Sequence, residues 1–368
     1  MATERSLSYR AAGVVDNTQL GLSALLKWVN ASAAFRSTGA GRRVVDVGYF
    51  ASVVQITDTL GLALCTDGVG SKVLVAEMLG RYDTIGIDCV AMNVNDAICV
   101  GAEPISFLDY IAIERATPEV LEQIARGLHA GAEQAGVSIV GGEISQIPEI
   151  IKGHAPGTGL DLVGMCAAIV PLDQIILGEG VAPGDVIVGV RSSGIHCNGL
   201  TLARKALFEV GGLTVDQYIA ELGGTVGEEL LRPTDIYVRP VMELLKRRRV
   251  PVRALVNITG DGFLNLARIT AAVSFDLDNL PAPQPIFRLI QDRGHVSDPE
   301  MYRVFNMGIG FCLIVADDPA VLGAVEQAFA AHRFATHRIG RVVAGDAKQV
   351  VLPQQNLVGE GDEFRYRS

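Results

Sequence analysis

The chain has 368 residues and carries 31 lysines and arginines against 41 aspartates and glutamates, a formal net charge of −10 at pH 7. Its content of 49% hydrophobic and 20% charged residues excludes a disordered chain and predicts a compact protein, long enough for two domains. The basic run 246–249 lies at the end of a predicted helix, where positive charges interact favourably with the helix dipole. The run is therefore weak evidence for nucleic-acid binding, and we expect no nucleic-acid partner.

The cysteines and the start of the chain predict a cytoplasmic protein. Six cysteines form no C-x-x-C pair, and reduced, buried thiols account for them. The first ten residues are polar and lack the apolar segment of a signal peptide. No apolar run approaches the roughly 20 residues that span a bilayer, so we expect no membrane partner.

Strands and helices alternate along the chain, which predicts a mixed α/β fold. Glycines and prolines within 171–185 predict a boundary between a first domain, 1–172, and a second, 173–368. In the first we predict a short helix at 20–30, strands 62–66, 105–113, 137–141 and 161–170, and helices 71–79, 85–100 and 118–134. In the second we predict strands 186–190, 252–257 and 309–315 and helices 200–210, 232–248 and 319–331.

The first candidate site directly follows the strand 62–66. Its sequence, Asp67-Gly68-Val69-Gly70-Ser71-Lys72, has the residue types of a polyphosphate site, because glycines admit anionic oxygens and lysine adds a positive charge. The spacing is not that of a P-loop, and the acid makes sense mainly as a ligand of the metal that accompanies the phosphates. An ordinary strand-to-helix turn capped by Asp67 explains this segment equally well.

The helix 85–100 carries four polar residues in an apolar sequence. Asp88 and Asn95 share one face, and Asn93 and Asp96 share an adjacent one. An internal hydrogen-bond network explains them, whereas a metal site would use Asp96 as a hard oxygen ligand.

Gly141, Gly142 and Glu143 lie at the end of the strand 137–141. Ligands gather at the carboxyl ends of strands in open α/β sheets, so we expect Glu143 to join Asp67 and Asp96 in an all-oxygen Mg²⁺ site. The alternative is a surface carboxylate near a turn.

The segment 191–199 predicts a second anion site, for a phosphomonoester, where a strand passes into a helix. His196 lies at the helix entrance and suits proton transfer or substrate binding. A helix cap at Asn198 with a solvated His196 is the plainer alternative, and Cys197 lacks a basic neighbour that would activate it. The candidate residues are Ser192, Ser193, Gly194, His196, Asn198 and Gly199.

Two later segments also suit a ligand. The loop 257–263 places glycines after a strand, and Arg303 and Asn306 precede the strand 309–315. In the alternative reading of the second segment, Tyr302 and Phe305 belong to the core and the nearby glycines ease packing.

Together these segments resemble the phosphoribosylformylglycinamidine cyclo-ligase family, also called aminoimidazole ribonucleotide synthetases. No single motif is enough to identify the family. The whole set of motifs, which occurs in the family's order along nearly the entire chain, is specific to it. The matching segments are 8–14, 66–72, 83–88, 94–96, 101–104, 107–110, 141–143, 192–199, 232–234, 236–238, 300–303 and 305–306.

The resemblance implies two α/β domains and a homodimer in which the N-terminal strands form a barrel across the two-fold axis. It also implies an enzyme of de novo purine biosynthesis that uses ATP and Mg²⁺. ATP would phosphorylate the amide oxygen of formylglycinamidine ribonucleotide, and the amidine nitrogen would then close the ring of aminoimidazole ribonucleotide as phosphate leaves.

The resemblance also implies roles for individual residues, with Asp67, Lys72 and His196 as the catalytic groups. The metal ligands would be Asp67, Asp96 and Glu143, with Asp261 as a candidate for an additional metal. The nucleotide would contact Asp67, Gly68, Val69, Gly70, Ser71, Lys72, Asp88, Asn95, Gly141 and Gly142. The substrate would contact Ser192, Ser193, Gly194, His196, Asn198, Gly199, Arg303 and Asn306.

Four features depart from the family pattern. Ile144 replaces a threonine, Cys197 a serine and Asp261 a glycine, and the glycine-rich lead-in before the nucleotide loop is reduced to Gly48-Tyr49-Phe50. The acid at 261 resembles the loop of thiamine-phosphate kinase, so another kinase or synthetase of this superfamily is one alternative. Selenophosphate synthetase would need a reactive cysteine or selenocysteine before Cys65, where none occurs. A non-catalytic nucleotide-binding paralogue is the other alternative.

Overall fold

The computed structural model describes residues 7–13, 18–246 and 250–367. They form two large mixed sheets flanked by helices, which confirms the predicted mixed α/β class. Most of the basic run, 247–249, lies outside the described residues. None of the helices described is long and apolar enough to cross a membrane.

The N-terminal sheet has six strands in the order β1-β2-β3-β6-β4-β5, and only β4 and β5 pair in parallel. The four strands predicted in this half are longer than predicted, whereas the helices predicted at 71–79 and 85–100 span 73–79 and 85–99. The strands are β1 Arg43–Val45, β2 Ser52–Gln55, β3 Leu60–Gly68, β4 Glu103–Ile113, β5 Ser138–Gln146 and β6 Leu160–Pro171. The helices are α1 Thr18–Ala31, α2 Val73–Leu79, α3 Ile85–Cys99 and α4 Pro118–Ala135, with 3₁₀ turns at Ser32–Arg36, Gly70–Lys72 and Leu172–Gln174.

Helix α3 lies at the centre of the molecule. It packs on the inner face of the N-terminal sheet, against α4, and against elements of the C-terminal half. Nearly all of its residues are buried, including the polar Asp88, Asn93 and Asn95. Its contact with α4 is close, since a Cβ atom at Gly127 would overlap the carbonyl oxygen of Asp83.

The C-terminal sheet has eight strands in the order β10-β12-β7-β13-β11-β14-β15-β16, and β8 pairs with β9 separately. The strands are β7 Val186–Arg191, β8 Tyr218–Ile219, β9 Gly224–Thr225, β10 Val252–Asn257, β11 Ser274–Asp276, β12 Ile309–Val315, β13 Thr336–Val343, β14 Val350–Leu352, β15 Leu357–Glu360 and β16 Glu363–Tyr366. The helices are α5 Leu200–Arg204, α6 Val226–Leu230, α7 Val238–Lys246, α8 Pro285–Gly294, α9 Asp298–Val304 and α10 Pro319–Ala331, with 3₁₀ turns at Gly262–Arg268 and Pro353–Gln355.

The predicted helix 232–248 is wrong at its start. Helix α7 begins only at Val238, and residues 232–237 have no regular secondary structure. This segment makes its backbone hydrogen bonds to side chains of other elements, so it has no need of helical ones. The predicted helix 200–210 also changes form, because α5 passes into a π-helix at Lys205–Val210.

The N-terminal sheet is open in a single chain. Strands β1 and β5 end the hydrogen-bonded order of its described strands, so no barrel closes within one protomer. Strand β5 is exposed along almost its whole length. The predicted barrel would therefore need a second copy.

The close contact between α3 and α4 can be tested with Gly127→Ala. The added methyl group overlaps backbone atoms that cannot move aside, so we expect a loss of about 1–3 kcal/mol of unfolding free energy, measured in urea. Gly323→Ala is the matched control, since Gly323 lies in α10 with open space around it. That variant should gain up to about 1 kcal/mol. Equal stability of the two variants would contradict the proposed packing.

Candidate active site

The loop after β3 begins the candidate site. The amide of Gly68 donates to Oδ1 of Asp67 at 2.7 Å, and the amide of Val69 donates to the carbonyl oxygen of Leu162 at 2.9 Å. Gly70 is exposed and left-handed, with φ of 67°, a conformation that glycine adopts without strain. The loop is therefore fixed at its start and open at Gly70.

Asp67, in this loop, lies near enough to Asp96 for their negative charges to interact. Asn257 Nδ2 donates to Oδ1 of Asp96 at 2.8 Å. Burial raises the pKa of Asp96 to about 7, an effect opposed by the Asn257 hydrogen bond and increased by the negative charge of Asp67. Burial also raises the pKa of Asp67. Two adjacent carboxyl groups whose ionisation is disfavoured are suited to a divalent cation, which would stabilise both as carboxylates.

Asp261 borders this acid pair but already has a partner. Arg268 donates to its carboxylate at 2.7 Å, and the same guanidinium lies 5.1 Å from the ring centroid of Phe50. The charge of Arg268 lowers the pKa of Asp96. Asp261 was predicted to bind an additional metal ion. In the structure its negative charge is already neutralised by Arg268. Sequence reasoning missed Arg268 because its segment has no recognisable motif, and it named Phe50 only as part of the reduced glycine-rich lead-in.

Glu143 does not join Asp67 and Asp96 in one chain. In the sheet, β6 and β4 lie between β3, which carries Asp67, and β5, which carries Glu143. Asp67 pairs with Gly164 on β6, and Gly164 pairs with Asp109 on β4. Asp109 in turn pairs with Gly142 on β5. Because successive side chains in a strand alternate between faces, Glu143 also points to the opposite face. Among the described residues, no three acids, histidines or cysteines form a metal cluster, so the predicted triad is wrong for a single protomer.

Lys72 is not at the surface of the loop, contrary to the predicted phosphate contact. Its side chain is completely buried, and Nζ donates to Asp88 Oδ1 at 2.9 Å and to the carbonyl oxygen of Arg232 at 2.7 Å. Oδ2 of Asp88 lies 2.8 Å from the same nitrogen. Ser71 likewise points to the second half, where its hydroxyl lies 2.9 Å from that of Thr201.

Asp88 and Asn95 share a face of α3, as the spacing predicted, but they hold the second half of the chain. Asp88 Oδ1 accepts from both the amide and the hydroxyl of Thr234, each at 2.7 Å. Asn95 accepts from the amide of Tyr237 at 3.0 Å and donates to the carbonyl oxygen of Asp235 at 2.8 Å. Asp88 also contacts the loop, through Lys72, whereas the hydrogen bonds of the Asn95 side chain go to Asp235 and Tyr237. Their nucleotide contacts stay a prediction.

The segment 191–199, which begins at the last residue of β7, is held in place by side-chain hydrogen bonds; we call it the anion nest, after the anion site predicted there. Ser192 donates to Asn306 Oδ1 at 3.1 Å, and Asn306 Nδ2 donates to the carbonyl oxygen of Gly194 at 2.9 Å. Ser192 and Asn306, both predicted to contact substrate, are buried and shape the nest by holding each other. Ser193 donates to the carbonyl oxygen of Pro233 at 2.6 Å.

His196 is buried in a strained conformation. Its φ of 60° is left-handed, which is uncommon for a residue with a side chain and is concentrated at functional sites. Its Nε2 lies 3.7 Å from Asp235 Oδ2 and makes no hydrogen bond. His196 is therefore not the solvated turn residue of the plainer alternative. The acid beside it is Asp235, which the sequence analysis had placed inside a helix.

The remaining predicted substrate residues divide between rim and core. A Cβ atom at Gly260 would lie 3.4 Å from Asn198 Oδ1, so the loop 259–262 borders the nest. Gly199 packs against the ring of Phe305. Arg303 is bound to Glu300 at 3.0 Å and lies over the ring of Tyr9, in the N-terminal segment 7–13.

Comparisons with known proteins agree with this architecture. The model of the AIR synthase related protein N-terminal domain matches residues 48–170, and that of the C-terminal domain matches residues 182–353. The fold and site thus define a two-domain AIR synthase related protein. Among solved structures, hydrogenase maturation protein HypE in complex with ATP has this fold, with a TM-score of 0.54 and 19% identity over 79% of this chain and 81% of that chain.

Curated relatives define the family more closely. Phosphoribosylformylglycinamidine cyclo-ligase of Methanocaldococcus jannaschii is 52% identical over 272 residues, 74% of this chain and 75% of the relative. The enzyme of that name from Methanothermobacter thermautotrophicus is 46% identical over 337 residues, 91% of this chain and 94% of the relative. The chain belongs to the phosphoribosylformylglycinamidine cyclo-ligase family.

The raised pKa of Asp96 predicts a pH-dependent stability of the metal-free protein. The folded state keeps this proton up to about pH 7, whereas the unfolded chain loses it near pH 3.8. Between these values the folded state binds more protons, so stability falls as pH rises. Relative to Asp96→Asn, which has no such proton, the wild type should lose about 2–4 kcal/mol across this window.

Urea unfolding in a chelator, from about pH 4.5 to 8, measures this difference. Asp161→Asn, which alters an exposed acid on β6, should keep the wild-type profile. Parallel profiles of wild type and Asp96→Asn would show that Asp96 is ionised throughout.

Proposed function

We propose that this protein is the ATP-dependent cyclo-ligase that converts formylglycinamidine ribonucleotide to aminoimidazole ribonucleotide, ADP and phosphate in purine biosynthesis. The observation that carries the proposal is the Asp67–Asp96 pair beside an open glycine loop, in a chain up to 52% identical to curated cyclo-ligases. An amide oxygen is a poor leaving group, and phosphorylation converts it into a good one.

Asp67 and Asp96 would hold Mg²⁺, which neutralises charge on the phosphates during transfer. Two hard oxygen ligands with raised pKa values fit this ion, and the remaining positions suit phosphate oxygens and water. Gly70 leaves room for the phosphates to approach the backbone. Asn257 orients Asp96 through its 2.8 Å hydrogen bond.

The anion nest would bind the substrate end. Its backbone is held by Asn306 and by the Ser193–Pro233 contact, so the donors are preorganised. His196 is the best placed group for proton transfer, since it is buried, borders the nest and lies near Asp235. Asn198, beside the loop 259–262, would complete the rim.

We also propose a homodimer that uses the outer face of the N-terminal sheet, the face opposite α3. Along β6 the inner residues are buried, whereas the outer Val163, Met165 and Ile169 are apolar and only half-buried. The edge strand β5 adds Val140, which is 64% exposed. A sheet that is apolar on both faces needs a second cover, and an open apolar edge favours strand pairing.

A second copy packed there would close the barrel, and Glu143, on β5, would lie at the interface between the copies. The proposed units remain 1–172, with the acid pair and the dimer contact, and 173–368, with the nest. A cytoplasmic location accords with six free cysteines.

Asp67→Asn tests the proposed chemistry. Loss of one of the two metal-binding carboxylates should lower turnover by at least about a hundredfold, without affecting the dimer. The measurement is aminoimidazole ribonucleotide formation from formylglycinamidine ribonucleotide and Mg-ATP, with ADP followed in parallel. Asp58→Asn, at the exposed opposite end of β3, is the control. Unchanged activity in Asp67→Asn would remove Asp67 from the metal site, and a wild type without ADP release would overturn the function.

Val140→Lys tests the proposed dimer. A charge on the apolar edge strand should oppose pairing and shift the protein toward monomer in analytical ultracentrifugation. Tyr218→Lys, which alters an equally exposed residue on β8, should leave the assembly unchanged. A monomeric wild type, or a Val140→Lys variant that remains dimeric, would contradict the proposed interface.

A further inference from the structure

The irregular segment Arg232–Tyr237 lies between helix α3 and the anion nest and is bonded to both. Toward α3, its backbone and side chains contact Lys72, Asp88 and Asn95 through five hydrogen bonds of 2.7–3.0 Å. Three of these involve Thr234 or Arg232 and converge on the Lys72–Asp88 ion pair.

The same segment contacts the nest from its other side. Pro233 accepts a hydrogen bond from Ser193 at 2.6 Å, and the hydroxyl of Tyr237 donates to the carbonyl oxygen of Arg191 at 3.1 Å. Asp235 lies 3.7 Å from Nε2 of His196. One short stretch of backbone therefore links the end of the phosphate loop to the residues that surround His196.

We propose that Lys72 and Asp88 are positioning residues, which fix His196 and the nest relative to the Asp67 loop by clamping segment 232–237. Both side chains are completely buried, and Thr234 is 4% exposed. The lysine ammonium is surrounded by both oxygens of Asp88 and the carbonyl oxygen of Arg232, within 2.7–2.9 Å. A phosphate would have to displace these oxygens to reach it. This proposal rests on the proposed function of the site.

The distances also give the loop lysine a role that does not depend on a phosphate. Asp88 Oδ1 accepts three hydrogen bonds, from Lys72 and from the amide and hydroxyl of Thr234. A carboxylate that is buried this deeply needs a countercharge, and Lys72 supplies it from the residue that ends the 3₁₀ turn of the loop. The loop cannot shift without moving this charge.

Lys72→Met tests the proposal against a direct phosphate contact. If Lys72 positions the segment, the variant should lose thermal stability, its kcat should fall about a hundredfold, and its Kd for Mg²⁺ with a non-hydrolysable ATP analogue should change less than about threefold. The double variant Lys72→Met with Asp88→Asn removes both buried charges and should recover part of the stability and of kcat. A stable Lys72→Met whose Kd for the analogue rises more than about tenfold would overturn the proposal.

A milder pair of variants applies if Lys72→Met does not fold. Thr234→Val keeps the shape but removes the hydroxyl donor to Asp88, so kcat should fall about tenfold and the amides of Thr234 and Tyr237 should exchange hydrogen faster. Thr234→Ser keeps the donor and should restore both. Wild-type kcat and exchange rates in Thr234→Val would overturn the proposal. Stability, analogue binding and exchange need no turnover, so a failure of the proposed reaction would be seen separately.

Discussion

The buried helix α3 imposes the constraint on which the rest of the structure depends. A polar group removed from water must find a hydrogen-bond partner, and α3 carries four such residues into the centre of the protein. Asp88 and Asn95 find partners on the 232–237 segment of the other half. Asn93 and Asp96 find them on the strand ending at Gly68 and on Asn257. The packing of the two halves against each other therefore follows from the hydrogen bonds that the buried polar residues of one helix require.

Two kinds of buried charge that look alike in the sequence also differ in the structure: one is paired with an opposite charge and the other is not. Lys72 and Asp88 neutralise each other inside the protein. Asp67 and Asp96 have no such lysine, and burial disfavours their ionisation. Close by, Arg268 is paired with Asp261. In the proposed function, a cation on Asp67 and Asp96 would be the main countercharge of the phosphates, because Lys72 is already neutralised by Asp88.

Periodicity and turn residues were sufficient to predict β10, β12 and α10 to the residue, and the two faces of α3. The same rules failed at 232–237, because a proline followed by apolar residues also fits the start of a helix. They failed for Glu143 because strand order decides which loops meet, and a linear sequence does not contain that order. The burial of Lys72 could not be predicted for a related reason: its partner Arg232 is 160 residues away. Short-range patterns predict elements, whereas the roles of polar residues depend on contacts that only the fold creates.

The bond between Asp88 and Thr234 joins residues that are 146 positions apart, which affects how the protein is made. At synthesis rates of about 5–20 residues per second, the ribosome needs roughly 7–30 seconds to produce Thr234 after Asp88. During that interval β4, β5 and β6 are made, while Lys72, Asp88 and Asn95 still lack their partners. The N-terminal sheet can therefore be complete in sequence before its central helix can form its hydrogen bonds to segment 232–237. The contacts that join the loop to the nest become possible only after both halves have been synthesised.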